Sequence, residues 1–72
     1  MASLTCHFHY QDYEVTVVGY EMPGGWRLAV EIRNGDDVEL MRDTESLYPD
    51  FASLRSMGIW KAHLAIMRKM TT

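Results

Sequence analysis

From residue 4 to residue 42, apolar and polar side chains alternate in short runs, the mark of strands with one buried face. Leu4, Cys6, Phe8 and Tyr10 alternate with Thr5, His7 and His9, which predicts a strand over 4–10. Gln11-Asp12 fits a two-residue hairpin loop, and the β-branched and aromatic run that follows predicts a second strand over 13–20. Pairing Tyr10 with Tyr13 gathers Leu4, Cys6, Phe8, Tyr10, Tyr13, Val15 and Val17 on one face. Thr5, His7, His9, Glu14, Thr16, Val18 and Tyr20 fall on the other.

Met22-Pro23-Gly24-Gly25 is a turn signal, because proline presets φ and glycine supplies positive φ. The cleanest alternation in the chain comes next: Trp26, Leu28, Val30 and Ile32 against Arg27, Ala29, Glu31 and Arg33, a third strand over 26–33. A fourth is expected over 38–42. Its register follows from side-chain parity, since a one-residue slip exchanges the two faces. A three-residue loop at 34–36 pairs Ile32 with Val38 and Val30 with Leu40, keeping apolar opposite apolar. A loop of Asn34-Gly35 alone would set Ile32 against Asp37.

Residues 43–50 read as a connector interrupted by Pro49, with Asp50 or Ser53 as the cap of a helix over 51–70. At about 100° per residue, Met57, Ile59, Trp60, Leu64, Ile66, Met67 and Met70 share one arc, which is expected to cover the sheet. Arg55, Gly58, Lys61, Ala65, Arg68 and Lys69 take the opposite, outward half, and His63 lies mid-arc on the apolar side. The expected fold is α+β: a three- to four-stranded antiparallel meander packed on one face by a C-terminal helix. A chain of 72 residues with no repeat or linker reads as a single domain over 1–72.

Composition narrows the class. Hydrophobic residues make up 47% and charged residues 24%, too apolar for disorder. Cys6 is the lone cysteine, which excludes an intramolecular disulfide and a four-cysteine zinc site and suits a reducing compartment. No apolar run approaches the roughly 18 residues of a membrane span and no leader pattern opens the chain, so a soluble, cytoplasmic protein without membrane partners is expected. The net charge of −3 is divided unevenly. Residues 1–50 carry all ten acids against Arg27, Arg33 and Arg42, a net −7, and residues 51–72 carry Arg55, Lys61, Arg68 and Lys69 with no acid, a net +4.

Candidate chemistry is sparse. His7 and His9 project from one strand face with Glu14 opposite His9, but three candidates with Cys6 turned away make an incomplete zinc set, and no metal or cofactor is expected. There is no glycine-rich phosphate loop, no G-x-S-x-G and no Cys-His pair with an orienting third residue, so an enzyme is not expected. His63 reads first as a trapped core histidine hydrogen-bonded to a sheet or connector group, with a ligand or interface role as the alternative. Two surfaces remain as interaction candidates. The outer sheet face presents Thr16, Val18, Tyr20, Arg27, Ala29, Glu31, Arg33 and Met41. The helix offers Arg55, Lys61, Arg68 and Lys69 beside the small residues Gly58, Ala62 and Ala65, which would let another backbone approach.

His9-Tyr10 before a strand, Gly25-Trp26 opening a strand that ends at Ile32, an acidic turn, and Phe51-x-Ser53 opening a helix that contains Gly58 form an order of features. In that order the chain resembles a group of short uncharacterised bacterial β-β-β-α proteins. The resemblance implies the fold and carries no catalytic residue across. The functional expectation is a non-catalytic protein-interaction or regulatory module, acting as a homodimer or on another protein, with an inhibitor carried by a mobile element as a subsidiary reading. The alternative is nucleic-acid binding through the basic helix face, which the acidic sheet disfavours.

Overall fold

The computed structural model describes residues 2–71, in the order β1 (Ser3–Tyr10), β2 (Tyr13–Met22), β3 (Gly25–Asn34), β4 (Asp37–Arg42) and α1 (Phe51–Met70). The strands form one antiparallel sheet in sequence order, and α1 lies on one face of it. This is the expected α+β meander, with strand ends within two residues of those the alternation marks. No helix among the described residues is long and apolar enough to cross a membrane.

Two hairpins follow the sequence. Tyr10 pairs with Tyr13 across Gln11-Asp12, and Met22 pairs with Gly25 across Pro23-Gly24. Proline at the first central position and Gly24 at φ 91° at the second give that turn the type II pattern. The first turn instead holds Gln11 at φ 57°, a left-handed conformation that an L-residue enters at a cost.

The third hairpin corrects the parity argument. Asn34 pairs with Asp37 across the two-residue loop Gly35-Asp36, with Gly35 at φ 61°. Ile32 therefore faces Glu39, Val30 faces Met41, and Val38 and Leu40 point to the outer face, 52% and 54% exposed. Leu40 is not a core residue, and Met41 lies on the helix side of the sheet. The cause is where the helix lies: its backbone packs over β2 and β3, touches β1 and does not reach β4. On the helix-side face of β4 only Met41 packs against the core, beside Glu39, which meets Lys69 of the helix, so burial constrains this register weakly.

The core consists of Val15, Val17, Leu28, Val30 and Ile32 from the sheet with Leu54, Ala62, Ala65 and Ile66 from the helix. Phe8, Tyr10, Tyr13, Trp26 and Phe51 pack around its rim. The two layers interlock through two glycines. A Cβ at Gly19 would lie 2.8 Å from Phe51 Cδ1, so β2 is notched to receive the start of the helix. A Cβ at Gly58 would lie 2.6 Å from Val17 Cγ1, so the helix is notched in turn to receive β2. Because the sheet fills the interlayer space with bulky side chains, close packing requires small ones from the helix.

Candidate functional site

The helix therefore meets the sheet by the face opposite to the one its apolar residues suggest. Its buried positions are Leu54, Gly58, Ala62, Ala65 and Ile66. Of the arc expected inside, only Ile66 is buried. Met57, Trp60, Leu64 and Met67 stand 39%, 54%, 42% and 45% exposed, and Ile59 and Met70 are exposed beside them. Gly58, Ala62 and Ala65 do allow a close backbone approach, and it is their own sheet that uses it. Asp50 caps the helix, its side chain accepting a 2.7 Å hydrogen bond from the Ser53 backbone N–H, which together with a second bond to Ser53 holds its pKa below the ordinary 3.8. Arg68 and Lys69 lie in the last turn, where cations complement the helix dipole.

The outward stripe has a regular spacing. Met57, Trp60, Leu64 and Met67 follow one another at intervals of three, four and three residues, extended by Ser53 and Thr71 at four more on either side. That is the spacing of one continuous helix face, here on the solvent side. The Trp60 ring is stacked on His63 at 5.8 Å and 21°, and His63 meets Tyr10 edge-on at 5.2 Å and 79°. His63 is thus half-buried at the rim of β1 rather than trapped in the core, and it braces Trp60 in place.

The four helix cations do not share a face. Lys69 Nζ forms a 2.6 Å salt bridge to Glu39 of β4, which supports its charged form and raises its pKa. Lys61 is half-buried, and its charge acts on the Asp43 carboxylate without a salt bridge between them. Arg55 and Arg68 are exposed and make no salt bridge among the described residues; by helical position Arg68 flanks the stripe and Arg55 lies toward the sheet.

The outer sheet face gathers Thr16, Val18, Tyr20, Arg27, Ala29 and Arg33 as the alternation implies, without Met41. Ala29 is buried among its neighbours, and Arg33 pairs with Glu31 at 3.7 Å along the same strand. His9 does lie opposite Glu14, whereas Thr16 and His7 hydrogen-bond to each other at 2.9 Å. No group of three or more candidate ligands among the described residues could hold a metal.

One ordered feature escapes a sequence reading. The connector is tied down by Asp43, whose Oδ1 accepts from the Glu45 and Ser46 backbone N–H groups at 3.1 and 3.0 Å and whose Oδ2 accepts from the Tyr48 hydroxyl at 3.3 Å. Burial alone would raise the Asp43 pKa. The two backbone bonds, the Tyr48 hydroxyl and Lys61 together outweigh it and hold the carboxyl below 3.8. Tyr48 then exchanges two backbone bonds with Trp26, continuing the sheet edge beyond β4. An aspartate two residues before a backbone donor is the signal for such a turn. Between this connector and α1 runs a groove of about 430 Å³, lined by Leu28, Val30, Met41, Asp43, Leu64 and Arg68 among others. Comparison with protein families, curated proteins and solved structures gives no match for this chain.

Proposed function

We propose that the protein is an interaction module that docks another protein on the outward face of α1. The observation that carries this reading is the exposure of Met57, Trp60, Leu64 and Met67 in one helical stripe while the opposite face of the same helix completes the core. These four side chains leave on the order of 400 Å² of mostly apolar surface in water, the size of the largest apolar patch of a typical monomer, which is often a functional one. At about 25 cal/mol per Å², roughly 10 kcal/mol of burial free energy is left for a partner to recover. A folded chain that needed only a core would gain nothing from tryptophan, leucine and two methionines there.

The outer sheet face is the weaker candidate, because its exposed apolar residues Tyr20, Val38 and Leu40 are interspersed with Arg27, Glu31, Arg33 and Arg42. Nucleic-acid binding through the helix draws less support than its charge suggests, since Lys69 is paired with Glu39 and the acids Asp43 and Glu45 border the groove beside Lys61 and Arg68. A photo-crosslinking residue placed at Leu64 and, separately, at Thr16 tests the choice of face in the native host. A defined protein adduct from position 64, lost when Trp60 and Met67 are changed to serine, is expected. Adducts from position 16 alone would overturn the assignment.

A further inference from the structure

Resting on that reading, we infer that the partner segment is an acidic amphipathic helix. Three observations lead there. The a/d spacing of Met57, Trp60, Leu64 and Met67 matches the pitch of a second helix lying along α1, over about 15 Å at 1.5 Å per residue. The flank positions that such a neighbour meets are Lys61 and Arg68 on one side and Ser56, His63 and Met70 on the other, and the helix holds no acid. The acids that share a groove with that basic flank are Asp43 and Glu45 on the connector, and Asp43 is already engaged with two backbone donors and the Tyr48 hydroxyl.

A second copy of this chain fits the stripe less well. An antiparallel pair of α1 helices would set Lys61 and Arg68 against the same residues of the other copy. A parallel pair would set them against Ser56, His63 and Met70, which supply no negative charge. A foreign helix with leucine-like residues at its own a and d positions and glutamates beside them meets both needs: it covers the apolar stripe and places carboxylates on Arg68 and Lys61. Asp43 and Glu45 repel that helix from the groove beside β4, so it lies over Trp60 and Met67.

The test uses the full chain with Trp26→Phe, so that Trp60 alone reports, and two synthetic three-heptad peptides with leucine at every a and d position, one with glutamate and one with lysine at e and g. The glutamate peptide is expected to bind and change Trp60 emission, with affinity falling as salt rises. Lys61→Gln and Arg68→Gln should each weaken it about two- to fivefold, the measure of exposed ion pairs. Leu64→Ser should abolish binding while the far-ultraviolet circular dichroism stays that of the parent. Equal binding of the lysine peptide would refute the acidic partner and leave the docking face standing. Binding of neither peptide, with crosslinking from position 64 intact, would do the same. Concentration-dependent dimerisation that shields Trp60 would assign the stripe to a second copy, and preferential adsorption to anionic phosphatidylserine vesicles would assign it to a membrane; either result overturns the inference.

Discussion

Replacing Gly58 with alanine separates two accounts of the helix by the sign of one free energy. If Gly58 faced solvent, alanine would stabilise the protein by up to about 1 kcal/mol through helix propensity. In the structure the added methyl enters the interlayer space 2.6 Å from Val17 Cγ1 and 3.1 Å from both Val17 Cγ2 and Leu28 Cδ1. Val17 cannot yield easily. It is fully buried, its branched side chain is restricted at χ1, and its strand is held between Cys6 and Val30. Overpacking of this kind costs about 1–3 kcal/mol, with a 2.6 Å contact at the upper end. Less the propensity gain, Gly58→Ala should destabilise by about 1–2 kcal/mol. Urea unfolding should show a lower midpoint at unchanged slope. In a double-mutant cycle with Val17→Ala, the pair should cost less than the two single changes added together, since the shortened side chain vacates the space the methyl needs. A stabilised Gly58→Ala, or strict additivity with Val17→Ala, would refute the docking face described here.

Met67→Lys should change stability by no more than about 0.5 kcal/mol in the same assay, as at other surface positions, whereas a lysine forced into the core would cost several. Gln11→Gly should stabilise by about 0.5 kcal/mol, because glycine takes the φ of 57° without strain; a loss on substitution would show that the Gln11 side chain contributes to the turn. Asp43 and Asp50 both have carboxyl pKa values below the ordinary 3.8, so the stability they add is complete above that value and is lost as pH falls through the lower folded one. The urea midpoint should hold down to about pH 4 and fall below it, and Asp43→Ala should flatten part of that fall while costing about 1 kcal/mol at neutral pH.

The strands were legible because alternation, turn residues and β-branched runs all agree. Tyr10-Gln11-Asp12-Tyr13 and Met22-Pro23-Gly24-Gly25 determine their own registers through loop length. The β4 register was not legible, since parity reasoning assumes a fully covered face and the helix backbone does not reach over β4. The helix was legible as a helix and misread as to its face. An apolar arc identifies the buried side only when the covered layer leaves room for large side chains; here Gly58, Ala62 and Ala65 dock on a sheet that supplies the bulk itself, and the large apolar residues are left outward. The cue was present in the sheet. A face already carrying Phe8, Tyr10, Tyr13 and Trp26 besides five branched aliphatic side chains leaves little volume for Trp60 and three further large residues. The Asp43 turn is not legible from the connector's breaker, Pro49, because side-chain hydrogen bonds make it.

The most direct test of the outward stripe is the quenching of Trp60 by acrylamide in the Trp26→Phe protein at low concentration. Stacked on His63 but more than half exposed, Trp60 should emit close to the wavelength of free tryptophan and be quenched nearly as readily, with no dependence on protein concentration. A blue-shifted, poorly quenched tryptophan in the dilute monomer would place Trp60 against the sheet and contradict the account.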